Sequence, residues 1–291
     1  MSGFDFIDHI SSSGIVRYLS KNYRYFKFTR ISYLKNMEQI KTYIINLPQE
    51  HERRKNILAE TVKYPCLDVE MVKAIYGKIL SDNEKDRLFD KNKFRKYYGR
   101  TLLPGEIGCT LSHRNCYKLL LESEYEFALI LEDDAYIKDD VFSAFFIKSV
   151  MEFMNSSDPV VLLLHADFES IGSNSSFYGK YDLYAVYSAL FTTAYLLNKS
   201  AARLFLQKKP PYFWVADDWH LFRKWGAHIY SLFPSVVVQQ WDKFSTSIQE
   251  ERTIPGRKRL LPHSWIECRL AYEKLVYLFL KKMGVINHYA G

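Results

Sequence analysis

The sequence predicts an α/β protein. Three observations carry that expectation: short apolar or β-branched runs of strand length, segments of helical periodicity between them, and turn residues at the changeovers. Residues 42–47 (TYIINL) form a β-branched run closed by Pro48 and read as a buried strand. Residues 49–63 follow with charges and helix formers, placing Ile57, Leu58 and Val62 at helical spacing. Strand, tight turn and helix in that order open an α/β unit. Residues 81–98 are highly charged and predict a surface helix and loop, and residues 106–123 regain helical periodicity through Ile107, Leu111, Leu119 and Leu120. Two further buried strands are expected at 127–131 (FALIL) and 160–164 (VVLLL). Residues 169–180, rich in Ser, Gly and Asn, read as a loop. One or two strands are expected within 185–197, then a helix starting near Asn198 or Ser200. A break at Pro210-Pro211, a short helix over 217–225, an apolar β segment within 229–239 and an amphipathic helix over 264–283 complete the chain.

The length of 291 residues gives room for one large or two small domains with a sizeable core. An apolar fraction of 48% is too high for a disordered chain, and twelve Gly with nine Pro exclude a collagen-like one. The 22 Tyr and 20 Phe need a home in a core, on a sugar-stacking surface or at a membrane interface. The net charge of +7 is unevenly spread: residues 1–42 carry a surplus of +4 and residues 251–291 one of +5, leaving 43–250 at −2. A nucleic-acid enzyme carries its basic charge across the body, so no nucleic-acid partner is expected.

Cys66, Cys109, Cys116 and Cys268 form no CxxC pair and have no paired His at zinc-ligand spacing, so buried reduced thiols are expected. The first residues lack the continuous apolar core of a secretory signal, and no apolar run approaches the ~20 residues of a membrane span. A soluble or peripheral protein of the cytoplasm is the expectation.

Four motifs carry chemistry. Glu132-Asp133-Asp134 directly follows the FALIL strand, and ligands of open α/β sheets bind at the carboxyl ends of strands. Clustered carboxylates there suit a hard divalent cation, Mg²⁺ or Mn²⁺, whereas the bland reading is a solvated acidic turn. Asp217-Asp218 lies between Trp214 and Trp219, which suggests a partly desolvated carboxylate able to act as a general base beside sugar-stacking aromatics. The competing reading is a helix N-cap. In Gly105-Glu106-Ile107-Gly108-Cys109-Thr110-Leu111-Ser112-His113 the glycines permit a tight loop entering a helix, and His113 read by itself is a satisfied helix histidine. Arg53 and Arg54 could clamp a phosphate at the start of the first α/β unit, against the commoner case of a solvated basic helix face. His165, at the end of VVLLL, sits where a ligand-binding residue could, and the sequence leaves it open.

Taken in order, the segments YIINLPQEHERR, GEIGCTLSH, ALILEDDA, TTAYLLNKSAARLF, VADDW and PSVVVQQ resemble glycosyltransferase family 25, the lipooligosaccharide galactosyltransferase family. The resemblance covers roughly residues 40–250, and the pairing of GEIGCxxSH with LEDDA is its most specific part. It implies a GT-A type, Rossmann-like nucleotide-sugar-binding fold, with a mixed, mostly parallel sheet flanked by helices. It further implies an acidic motif that contacts the donor and holds a divalent metal. Carried onto this chain, that motif is Glu132-Asp133-Asp134, with Asp134 the first choice for the metal, then Asp133. Asn46, Arg53, Arg54, Glu106 and His113, with Glu132 and Asp133, are the candidate contacts to the nucleotide sugar. The implied chemistry is inverting transfer of a hexose, galactose from UDP-galactose first, to a lipid-linked oligosaccharide, with Asp217 or Asp218 as base.

The implied organisation is an N-terminal basic and aromatic extension over residues 1–36, a catalytic domain over 37–255 and a C-terminal basic amphipathic helical segment over 256–291. The extension has no counterpart in the family's pattern. Arg257-Lys258-Arg259, Arg269, Lys274, Lys281 and Lys282 accompany the apolar residues of the last helix, which suits contact with an anionic membrane at the inner face of a bacterial inner membrane. Packing of that helix on the catalytic domain is the equal alternative. Two other functions compete: a metal-dependent phosphohydrolase using the same acids, and a non-enzymatic basic membrane-binding protein.

Overall fold

The computed structural model describes residues 39–138, 142–240 and 265–291. The proposed extension, Arg257-Lys258-Arg259 and the side chains of Cys268 and Arg269 lie outside the described residues. The expected first α/β unit is present: strand β1 (Ile40–Asn46) leads through Leu47 and Pro48 into helix α1 (His51–Thr61) and then β2 (Leu67–Lys73). The charged stretch forms two short helices, α2 (Asp82–Leu88) and α3 (Lys91–Tyr98). Ser81 and Glu84 make a reciprocal capping box at the start of α2, and Asp90 caps α3. Gly99 ends α3 at φ 69°, a left-handed conformation that favours glycine. Helix α4 (Pro104–Glu122) then precedes β3 (Phe127–Glu132), β4 (Ala135–Ile137) and α5 (Ala144–Met154).

The second half runs through β5 (Val160–Leu163), β6 (Asp167–Ile171), β7 (Ser175–Tyr178), β8 (Tyr181–Leu190) and β9 (Ala194–Asn198). Helices α6 (Lys199–Gln207) and α7 (Trp219–Lys224), strands β10 (His228–Phe233) and β11 (Val237–Gln239), helix α8 (Trp265–Lys282) and strand β12 (Ile286–Tyr289) follow. Among the described residues the strands form a ten-stranded sheet in the order β12-β6-β8-β10-β5-β9-β3-β1-β2, with β7 beside β8, and a separate β11-β4 pair.

In the run β2-β1-β3-β9-β5-β10, parallel ladders join β2, β1 and β3, and β5 with β10. Only β9 is antiparallel, to both β3 and β5, so five of these six strands share a direction. The chain leaves β1 for β2 on one side and returns to β3 on the other, which makes β1 the topological switch point. The carboxyl ends of β1 and β3 therefore open a crevice side by side.

These central strands are apolar on both faces, as strands covered on two sides must be. Alternate residues Tyr43 and Ile45, Ala128 and Ile130, Val161 and Leu163, and Tyr195 and Leu197 pack with Cys116, Tyr117 and Leu120 of α4 and Phe205 of α6. Many of the Tyr, Phe and Trp side chains find their home here. Trp214 and Trp219 are buried in the same core, and Trp219 donates its indole N–H to the Phe191 carbonyl, so these tryptophan faces are not the sugar-stacking surface expected from their neighbourhood to Asp217-Asp218.

Several elements differ from the sequence-based expectation. Residues 169–180 hold β6 and β7, because the ten-residue β8 offers both a long antiparallel partner that overrides their Ser- and Gly-rich composition. Strand β2 (LDVEMVK) has no apolar run to announce it; it sits at the end of the sheet and is recruited by parallel register with β1. The last strand, β12, pairs with β6 and so belongs to the main sheet.

One contact fixes the loop after β2 against α4. A Cβ on Gly108 would lie 2.3 Å from the Ile75 carbonyl oxygen, and one on Gly77 would lie 1.9 Å from that of Pro104. Gly108→Ala is expected to destabilise the fold by about 1–3 kcal/mol through overpacking. Denaturant unfolding checks this, with Gly99→Asn, in open space at a left-handed position, staying close to wild type.

Candidate functional site

Asn46 ends β1 and Glu132 ends β3, so the strand register brings the two chain reversals together. The Asn46 side-chain amide donates to Asp133 Oδ2 at 2.8 Å and to the Glu50 carbonyl at 3.2 Å, tying the acidic turn to the start of α1. One turn into that helix, Arg53 pairs its Nε with Asp133 Oδ1 at 2.9 Å and its terminal nitrogen with Asp134 Oδ2. Arg54 is exposed instead. Successive helix residues point about 100° apart, so only one of an adjacent pair can face the acids, and Arg54 does not line the cavity. Gln239, at the end of β11, donates to Asp134 Oδ2 at 2.8 Å.

Glu132 is held from the other side. Its Oε1 accepts from the Thr192 hydroxyl at 2.5 Å and lies 3.2 Å from His113 Nε2. His113 Nδ1 meets the Tyr195 hydroxyl at 2.7 Å, which meets that of Tyr117 at 3.0 Å. A buried polar chain thus runs from the core to the acidic turn. The residues around His113 serve the same construction. Glu106 accepts the Leu103 N–H at 3.0 Å, satisfying one free amide at the start of α4, and forms a bidentate pair with Arg100 at 2.7 and 2.8 Å. Ser112 accepts the Ile75 N–H at 2.8 Å. Glu106 lines the cavity while its carboxylate is engaged in holding the start of α4.

These groups surround a cavity of about 780 Å³ lined by Arg53, Tyr76, Tyr98, His113, the three acids Glu132, Asp133 and Asp134, and Asp217. Asp217 and Asp218 separate in role. Asp218 caps α7, its Oδ1 accepting the Leu221 N–H at 3.0 Å, and its Oδ2 accepts the Tyr98 hydroxyl at 2.5 Å. Asp217 lines the same cavity, and the Cys109 thiol between them lies within electrostatic reach of both Asp217 and Glu132.

The electrostatics favour an added cation. Burial, then repulsion from Glu132, pushes the Asp134 carboxyl up to about 7, against the pull of Arg53 and Gln239. Burial also raises Asp133, against Arg53 and Asn46. Burial works on Glu132 in the same sense, but His113 and Thr192 hold its carboxyl below the usual range. Asp134 Oδ1 and Asn46 Oδ1 are buried with no hydrogen-bond partner among the described residues. Three carboxylates facing one guanidinium, with an orphaned carboxylate oxygen, fit a hard divalent cation held by Asp134 and Asp133. Cys109, His113 and Glu132 also place one ligand atom each within 4.8 Å of one another. The free thiols of Cys66 and Cys116 are buried as expected, and burial pushes Cys66 up to about 11. Tyr98, Thr192, Tyr195 and Gln239 complete the site without having been singled out in the sequence, although TTAYLL and PSVVVQQ contain three of them.

Fold and site define an α/β domain with a buried acidic crevice at its topological switch point. The sequence pattern of glycosyltransferase family 25 (LPS biosynthesis protein) matches residues 39–219, and the chain belongs to that family. It is 35% identical over 95 residues to procollagen galactosyltransferase 1-B of Xenopus laevis, covering 32% of this chain and 15% of that one. It is 32% identical over 123 residues to procollagen galactosyltransferase 2 of Homo sapiens, covering 41% of this chain and 19% of that one. The matched stretches thus span less than a fifth of these relatives. A solved glycosyltransferase involved in glycosylation of the PBCV-1 major capsid is 13% identical over 73% of this chain and 96% of its own, with a TM-score of 0.35. Among the described residues no helix is long and apolar enough to cross a membrane.

His165 is buried, stacked on Phe191 at 5.2 Å, and its Nδ1 has no partner among the described residues. Burial, helped by Lys138, depresses it to about 4 against the attraction of Asp167 and Glu132. A histidine that charges more readily unfolded, at about 6.5, makes the fold lose stability as pH falls from there toward 4. The limit is about 3 kcal/mol at 1.36 kcal/mol per unit. His165→Gln is expected to flatten that part of the pH dependence, measured by urea midpoints at pH values on either side of the window.

Proposed function

We propose that the chain transfers a hexose from a nucleotide-sugar donor, UDP-galactose first, to a hydroxyl of a lipid-linked oligosaccharide, with inversion at the anomeric carbon. The observation that carries this reading is the buried cluster of Asp133, Asp134 and Arg53 beside Glu132, opening on a cavity that Asp217 also lines. The family's description as an LPS biosynthesis protein and the galactosyltransferase names of its relatives support the donor and acceptor classes.

In this reading Asp134 and Asp133 would hold Mn²⁺ or Mg²⁺, which when bound would supply charge neutralisation at the diphosphate. Asn46 Oδ1, left buried at the end of β1, offers an acceptor to the donor's hydroxyls, and Arg53 places a positive charge at the same end. Asp217 takes the proton of the acceptor hydroxyl as its oxygen bonds to the anomeric carbon. The bond from that carbon to the diphosphate oxygen breaks, and its electron pair leaves with the diphosphate. Asp218 is the weaker candidate, because both its oxygens already accept hydrogen bonds. The cavity aligns acceptor and donor, which supplies most of the acceleration not due to charge.

Asp217→Asn is expected to lower kcat about 10²–10⁴-fold with little change in donor KM, the loss typical of a missing general base. Asp134→Asn is expected to abolish transfer while circular dichroism stays unchanged; full activity would overturn the site. Chelation is expected to stop transfer and added Mn²⁺ to restore it. UDP release that requires no saccharide acceptor would instead favour the phosphohydrolase.

A further inference from the structure

Helix α8 turns its apolar side outward. A surface helix of a globular protein buries its apolar stripe and exposes its polar one. Here Tyr272, Leu275, Leu278, Phe279 and Met283 are 67, 65, 49, 63 and 63% exposed. At about 100° per residue the four within α8 and the adjoining Met283 fall on one arc of about 140°. Lys282 lies within that arc and Lys274 about 40° beyond its edge, both exposed. Tyr277 and Leu280 lie toward the opposite side and are partly buried, as is Val276 just beyond the arc's other edge.

That inner side is fastened to the rim of the cavity. The Tyr277 hydroxyl donates to Glu169 Oε1, whose other oxygen accepts from Ser188 at 2.8 Å. Tyr277 also stacks on Tyr187 at 6.1 Å, and Tyr187 packs on His220 at 5.0 Å. Ser188 and His220 both line the cavity.

We propose that the outer face of α8 is an interfacial docking surface for an anionic phospholipid bilayer, holding the cavity rim at the membrane. The chemistry on the face selects that occupant. Leucine, phenylalanine, tyrosine and methionine provide apolar depth, and lysines at and beside the stripe can extend their ammonium groups to anionic headgroups. The exposed large apolar residues 272–283 far exceed the scattered singles found on an ordinary soluble surface. The membrane contact stands on this geometry alone; its use, presenting a lipid-linked acceptor to Asp217, rests on the proposed transferase reading.

The test is co-sedimentation of the full chain with phosphatidylcholine vesicles with and without phosphatidylglycerol. Binding to the anionic vesicles is expected, weakening as salt rises. Leu275→Gln with Phe279→Gln is expected to weaken it at least about tenfold, given the transfer energy of two such side chains. Lys274→Gln with Lys282→Gln is expected to cost about fivefold per lysine. Transfer to a water-soluble saccharide is expected to survive in all these variants. Absence of wild-type binding, equal binding by the apolar double variant, or a dimer that the double variant dissolves with vesicle binding unchanged would each overturn the proposal. Vesicle binding without any sugar transfer would sustain it and overturn the transferase reading.

Discussion

The ion pairs of Arg53 with Asp133 and Asp134 are the interaction on which the site depends. Three adjacent acids at a strand end repel one another, and burial makes their charges costlier still. One guanidinium can offset part of that cost because its planar fork reaches two carboxylates at once. It can do so only if α1 starts at the right distance from β1, and the Asn46 amide sets that distance by bonding both the Glu50 carbonyl and Asp133. The remaining imbalance is what the proposed divalent cation would offset.

The segment 105–113 is a brace in which four residues have separate tasks. Glu106 accepts the Leu103 N–H at the start of α4, Gly108 admits the backbone of the loop after β2, Ser112 satisfies an amide of that loop, and His113 links the core tyrosines to Glu132. The spacing of these residues follows helical geometry: 108 and 112, four apart, share a face toward the loop. A motif that looks like a binding loop in the sequence is mainly the structure that holds a binding loop in place.

Much of this was legible beforehand. The β-branched run at 42–47 and the apolar runs at 127–131 and 160–164 mark strands because burial on both faces leaves a continuous apolar signature, and the three acids after the second of them mark the crevice. Strand β2 and the β6-β7 region were not legible, since their strand character comes from partners distant in sequence. Which of Arg53 and Arg54 faces the acids depends on helix phase, and local sequence does not set that phase when both neighbours are charged. The contributions of Thr192, Tyr195 and Gln239 are likewise tertiary, arriving from strands β9 and β11 and the turn before β9. The tryptophans misled for the opposite reason: proximity in sequence to Asp217 placed them in the core beneath the cavity rather than on its wall.

Asp217 and Asp218 are adjacent in the chain and nearly identical to any local reading, yet they answer to different pressures. Asp218 is bound into the fold through the α7 cap and the Tyr98 hydroxyl. A replacement at this position would have to keep both the helix cap and an acceptor for the Tyr98 hydroxyl, more than a hundred positions away in the chain. Asp217 lines the cavity while its neighbour caps α7, and in the proposed transfer it is the acid answerable to the reaction. As the lineage drifts or adopts a new acceptor, position 218 should vary with position 98, and position 217 with the chemistry.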